Sequence, residues 1–118
     1  SSQEACPFVD RQGVFDGVEL NVTDLDTGHR LAACLGQGSL LWLANHGPLT
    51  VARTVAGAVG LFLLAERAAE VAVKVPDGRV IADAEARAVA ASMDPDTTGW
   101  HVFEFLVRSR LGDRSQAG

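Results

Sequence analysis

Apolar and polar positions change their rhythm several times along this chain, and each change predicts an element. Over residues 1–22 the apolar members Phe8, Val9, Val14, Phe15, Val18, Leu20 and Val22 are separated by Asp10, Gly13, Asp16 and Gly17. Within that stretch, Val18-Glu19-Leu20-Asn21-Val22 alternates strictly, the pattern of a short half-buried strand. A helix is predicted next. Leu31, Ala32, Cys34 and Leu35 form a stripe at helical spacing, Asp24 or Thr27 can cap its start, and Gly36 and Gly38 can end it. Cys34 on that stripe reads as a small buried hydrophobe. Leu40-Leu41-Trp42-Leu43-Ala44 is then a continuous apolar run bounded by turn residues, which predicts a strand buried on both faces. It stops at Asn45-His46-Gly47-Pro48, after which Leu49-Thr50-Val51 resumes an extended pattern.

The longest predicted helix is capped by Thr54 and runs to about Lys74. Val55, Ala58, Val59, Phe62, Ala65, Ala69 and Val73 lie on one face, and Leu61, Leu64, Ala68 and Val71 on another. Glu66, Arg67, Glu70 and Lys74 keep a polar edge, with Glu70 and Lys74 in the favourable i, i+4 order. A helix apolar nearly all round belongs inside a larger assembly than 118 residues readily supply. The expectation is therefore covering by another segment or another subunit. Pro76-Asp77-Gly78 is a turn. Asp83 caps a helix to about Ser92, and Asp94 to Gly99 reads as a loop of turn formers. Trp100 to Leu111 forms the last helix, with Val102, Phe103, Leu106 and Val107 on its apolar face. Residues 112–118 read as a disordered tail, leaving 1–111 as one structural unit.

Composition narrows the function classes. The chain is 47% hydrophobic and 21% charged, with a net charge of −5 and no basic run. Nucleic acid and anionic membranes call for clustered Lys and Arg, so neither is an expected partner. The charge-free run Thr54 to Ala65 is well short of the roughly 20 residues of a membrane span. Two cysteines, Cys6 and Cys34, make no disulfide framework, and the polar, acidic start lacks the layout of a signal peptide. A cytoplasmic protein with reduced thiols is expected. The chain starts without Met, which suggests a fragment or processed product.

The chemistry-bearing candidate is His46. A histidine just past a buried strand sits where open α/β sheets place ligands, and Gly47 allows a sharp turn that leaves the imidazole facing outward. Neutral imidazole is a common ligand for Zn²⁺ and suits Fe²⁺ as well. On local chemistry alone a hydrogen-bonded structural histidine is the alternative.

The run Leu40-Leu41-Trp42-Leu43-Ala44-Asn45-His46-Gly47-Pro48-Leu49-Thr50-Val51-Ala52-Arg53-Thr54-Val55 resembles a segment of the class II aldolase/adducin family. In that family an apolar strand leads to an Asn-His-Gly-x-Leu turn and then to a (Gly/Ala)-x-Thr-Val helix start. Leu64-Ala65-Glu66-Arg67-Ala68-Ala69-Glu70 resembles the family's Leu-Glu-Arg-Ala helix. Gln3-Glu4-Ala5-Cys6 and Gly28-His29-Arg30-Leu31-Ala32 match weaker pieces. The similarity spans roughly residues 2–110 and is specific over 40–70, corresponding to the C-terminal half of the family's domain.

The resemblance implies an α/β fold, part of a three-layer sandwich with a mixed sheet between helices, assembled as a homotetramer with sites between subunits. It implies a divalent metal, Zn²⁺ or Fe²⁺, held by three histidines. The third of these corresponds to His46, with Asn45 and Gly47 shaping its surroundings. The other two, as a His-x-His pair, together with the general base and the phosphate-binding residues, belong to the N-terminal half. This chain has no His-x-His, so it would carry an incomplete half-site and need that missing N-terminal half as partner. The implied activity is lyase cleavage of a carbon–carbon bond in a small-molecule substrate, through a metal-stabilised enediolate. Two alternatives remain: a non-haem iron oxygenase of the same fold acting on an aromatic hydroxy acid, and a non-enzymatic adducin-like assembly module. The absence of any tyrosine departs from sugar-phosphate members, which often use a C-terminal Tyr as proton donor. Trp100 and His101 are candidates for that neighbourhood.

Other constellations have plainer explanations. Asp94-Pro95-Asp96-Thr97-Thr98-Gly99 imitates a phosphohydrolase nucleophile loop but lacks the preceding buried strand. Asp24-Leu25-Asp26-Thr27-Gly28 echoes a Ca²⁺ loop without its closing Glu. Gly57 and Gly60 suit close helix packing better than dinucleotide binding. His29 and Arg30 read as a solvated helix face.

Overall fold

The computed structural model describes residues 2–17 and 22–112. Among these, a six-residue 3₁₀ turn (Gln3–Phe8) leads into strand β1 (Gln12–Phe15), helix α1 (Leu25–Leu35) and strands β2 (Leu40–Leu43) and β3 (Gly47–Thr50). Helices α2 (Val55–Lys74), α3 (Asp83–Ala91) and α4 (Pro95–Leu111) follow. Residues 18–21 of the predicted 18–22 strand and 113–118 of the predicted tail lie outside the described residues.

The sheet is mixed, in the order β1-β2-β3. β1 and β2 are parallel, with Gln12 opposite Leu40 and Phe15 opposite Leu43. Parallel neighbours need a crossover, and α1 provides it. β2 and β3 are antiparallel, with Leu40 opposite Thr50 and Leu43 opposite Gly47. Leu40 and Leu41 are both fully buried and, being adjacent, point to opposite faces. The two-sided burial expected of this run therefore holds at its start. Leu40 joins Phe8, Leu61, Leu64 and Ala65 in the main core, with Trp42 and Val102 packed against it. On the opposite face α1 comes so close that a Cβ on Gly13 would lie 2.4 Å from the Cys34 carbonyl oxygen.

The central strand and the long helix fall where the apolar pattern puts them, but several local readings change. Asp24, not Thr27, caps α1: its carboxylate accepts from the Thr27 backbone N–H at 2.8 Å. Gly36, at φ 56°, ends the helix. Cys34 is exposed and Cys6 is the buried thiol, because α1 turns its Cys34 side to solvent while Cys6 sits in the 3₁₀ turn against the core. Asp83 is the first residue of α3, not its cap.

The larger correction concerns residues 94–99. They are not a loop: Asp94 caps α4 by accepting from the Thr97 N–H and hydroxyl, and Pro95 occupies the first turn, where its missing N–H costs nothing. Gly99 then lies inside the helix where α4 crosses α2. A Cβ on Gly60 would stand 1.7 Å from the Gly99 carbonyl oxygen, and one on Gly99 would stand 2.2 Å from the Gly57 oxygen. The small residues in α2 thus serve close helix packing. The two apolar stripes of α2 differ in fate. Leu61 and Leu64 are buried, whereas on the other stripe Ala65 is buried and Val55, Phe62 and Val73 are exposed.

Candidate functional site

His46 lies in the tight connection between β2 and β3. The Leu43 carbonyl accepts from the His46 backbone N–H at 3.1 Å, closing the turn. Asn45 adopts the left-handed conformation at φ 59°, which Asn tolerates better than most side chains, and Gly47 follows at φ 129°. The sharp turn expected of Gly47 is therefore shared between Asn45 and Gly47. The imidazole is exposed, at the end of a strand whose first residues are fully buried. One donor nitrogen on a rigid strand end suits a single metal ligand. Among the described residues, no group of three or more His, Cys, Asp and Glu gathers to hold a cation.

The same end of the sheet carries more than the hairpin. The Phe15 carbonyl, at the end of β1, accepts from the Ala44 N–H at 2.9 Å, which ties the ends of the two parallel strands together beside Asn45 and His46. The Phe15 ring is 7% exposed and supports the Arg30 guanidinium, whose carbon is 5.3 Å from the ring centroid. Arg30 is exposed, as its reading as a solvated helix face expects, and it also meets Phe15 at this end of the sheet. Nothing in the one-dimensional spacing of Phe15 and Arg30 announces it.

Trp100 and His101 are on the first turns of α4. Their rings meet edge-on, with centroids 5.1 Å apart and planes at 68°. Trp100 lines an open cleft of about 280 Å³ with Arg53, Thr54, Asp94, Asp96 and Thr97. None of those cleft residues belongs to the β2–β3 hairpin, so the residues lining it do not place Trp100 beside His46. The cleft is instead a junction between helix starts. Asp96 accepts from the Arg53 backbone N–H at 2.6 Å and from its Nε at 3.1 Å, and Arg53 also reaches Asp94 at 3.6 Å. Donation by the Thr97 hydroxyl and backbone N–H holds the Asp94 carboxyl below the usual carboxylate range.

The model of the Class II Aldolase and Adducin N-terminal domain matches residues 1–73, more than half of the chain. The chain belongs to the class II aldolase and adducin family. It is 28% identical to "Decarboxylase NovR" of Streptomyces niveus, over 93% of this chain and 42% of that protein. It is 30% identical to the "4-hydroxy-3-prenylphenylpyruvate oxygenase/4-hydroxy-3-prenylbenzoate synthase" of Streptomyces roseochromogenus subsp. oscitans, over 93% of this chain and 41% of that protein. Among solved structures, an L-fuculose 1-phosphate aldolase from Glaciozyma antarctica PI12 superposes with a TM-score of 0.73 at 22% identity, over 93% of this chain and 43% of its own. An aldolase II superfamily protein from Pseudomonas syringae gives 0.66 at 26% identity, over 96% and 49%. The class II aldolase fold is thus shared. The chain spans less than half the length of the relatives it matches.

Proposed function

We propose that this chain is part of a divalent-metal-dependent lyase of the class II aldolase type, with His46 as its one metal ligand. The observation that carries the reading is the exposed imidazole at the end of a buried strand, fixed by the Asn45–Gly47 turn, in a chain of this family. When bound, a divalent cation, Zn²⁺ or Fe²⁺, would act as a Lewis acid toward a carbonyl oxygen of the substrate. Within this chain, Nε2 or Nδ1 of His46 would hold the cation, and the β2–β3 turn would fix the direction of that donor. Asn45 and Gly47 act through the backbone geometry. The remaining ligands and the proton-handling groups would lie in the further half of a domain of this kind or in another subunit of a homo-oligomer. Trp100, which lines the α4 cleft, and His101 against its ring are left without a chemical part in this reading.

A second reading has its own support. One relative is named a decarboxylase, and the other pairs a phenylpyruvate with a benzoate in its name. The two named conversions remove carbon from an acid, so both break a carbon–carbon bond. An iron-dependent oxygenase acting on an aromatic hydroxy acid therefore stands beside the aldolase. An adducin-like assembly role has only the shared family in its favour.

Metal analysis of full-length protein tests the site. His46→Ala should remove most of the bound Zn²⁺ or Fe²⁺ and the activity, while His29→Ala and His101→Ala leave metal content near that of the parent. Full occupancy in His46→Ala would overturn the assignment. Retained carbon–carbon cleavage with Zn²⁺ in the absence of O₂ would favour the lyase, and an absolute requirement for O₂ and Fe²⁺ the oxygenase.

A further inference from the structure

We propose that the apolar row of Val14, Trp42 and Pro48, next to the His46 turn, is the wall on which an aromatic ring of the substrate rests. The inference rests on the His46 reading above and names the substrate class for that site. Register makes the row. Val14 pairs with Trp42 between β1 and β2, and Trp42 pairs with Pro48 between β2 and β3. Paired neighbours point to the same face of a sheet, so three apolar side chains from three strands stand in one line. The row adjoins His46 through the chain itself. Pro48 is two residues on, at most about 7 Å away between Cα atoms, and Trp42 stands about 5 Å further across the hairpin. The His46 N–H also donates at 3.1 Å to the carbonyl of Leu43, the residue after Trp42.

Cover over this face thins toward the His46 end. Leu40, on the same face two residues before Trp42, is fully buried among Phe8, Leu61 and Leu64. Trp42 is half-buried, and Val14 is 67% exposed. The Trp42 indole N–H donates to Gln12 Oε1 at 2.9 Å, which fixes the ring and leaves it no unmet donor to present to an apolar neighbour. The strands bring no charge to the row: residues 12–15, 40–43 and 47–50 include none. Phe15 and Leu43 point to the opposite face, and Arg30 meets Phe15 there. An uncharged wall made of an indole, a proline ring and a valine suits the face of an aromatic ring and offers no cation to a phosphate. With the carbonyl end of a substrate on a cation at His46, its ring a few bonds away reaches the row.

The test compares phenylpyruvate and pyruvate, two acids that differ by one ring. Each is titrated calorimetrically into metal-loaded, full-length protein, with metal content measured in parallel. The parent should bind phenylpyruvate about tenfold more tightly, the scale for partly covering a phenyl ring. Val14 is exposed, so its replacement leaves the core intact. Val14→Asn should lower the preference roughly threefold with metal content and pyruvate binding unchanged, the loss of about one methyl group's worth of contact. Val14→Leu should keep it. Equal affinity of the parent for the two acids, no binding of either, or an unchanged preference in Val14→Asn overturns the proposal. If Val14→Asn shifts the sedimentation of the protein and leaves the preference as it was, a second copy covers the row and the proposal likewise fails. Metal retained in His46→Ala would instead overturn the metal-site reading, and the comparison of the two acids would still decide the row.

Discussion

At the scale of single residues, the clearest physical signals are the helix caps. Asp24 and Asp94 each accept from the backbone N–H three residues on, a Thr27 or Thr97 that also donates its hydroxyl. Both carboxyls are consequently held below their ordinary range. A depressed folded-state value means the cap contributes fully above the unfolded carboxylate pKa of about 3.9, and the contribution is lost as pH falls through the lower folded value. Asp94→Asn keeps an oxygen acceptor but cannot titrate. Its melting temperature should therefore stay close to the parent's above pH 5 and fall less steeply between about pH 4 and 2. An acid limb as steep as the parent's would show that Asp94 does not carry this dependence. The same cap was readable in the sequence: Asp followed by Pro and, two residues later, Thr is a helix-start signature. Its turn-forming composition and the interior Gly99 concealed it.

At the scale of elements, the α2–α4 crossing is the tightest packing in the described chain. Backbone meets backbone at Gly57, Gly60 and Gly99, and Asp96 fastens the start of α4 to Arg53 just ahead of α2. Ala would ordinarily gain about 1 kcal/mol over Gly inside a helix. At Gly60 the added methyl meets a carbonyl oxygen that belongs to a helix and cannot move alone. Gly60→Ala should therefore destabilise the protein, by roughly 1–3 kcal/mol as for other overpacked sites. Gly28→Ala is the control, because a Cβ at Gly28 in α1 meets nothing within 4 Å and should be neutral or stabilising. Chemical denaturation of the two variants compares them. A stabilised Gly60→Ala would mean the helices do not cross this closely.

Across the whole molecule, the unevenness of α2 has the largest consequence. Val55 is 79% exposed and Val73 80%, and Thr50, Ala58, Val59, Phe62 and Leu63 line an open, largely apolar groove between β3 and α2. Strand addition at β3 is an unfavourable way to cover it. Val51 donates to Ser39 across the pair, so the alternation puts Leu49 and Gly47 in bonded positions and leaves Pro48 facing away from β2 with no N–H to offer. Association through side chains of the α2 face is expected instead. The protein should sediment as an oligomer, and Phe62→Glu should shift it toward smaller species. A monodisperse, cooperatively unfolding monomer of 12.4 kDa would contradict this expectation.

The central strand, the long helix and the His46 turn were legible from the chain because each depends on local order. The apolar run from Leu40, the Thr54 cap and the Asn-His-Gly turn all write their chemistry into consecutive residues. The two stripes of α2 were legible too, as a helix with more apolar surface than a small unit can bury. Which residues of the two stripes became core was decided only in three dimensions, by Leu61, Leu64 and Ala65 meeting Phe8 and Leu40. Tertiary structure likewise chose Cys6 over Cys34 for burial and set Arg30 on Phe15. It also turned the Gly99 region from apparent loop into a helix crossing. Those outcomes depend on contacts between residues far apart in sequence, and no local period encodes them.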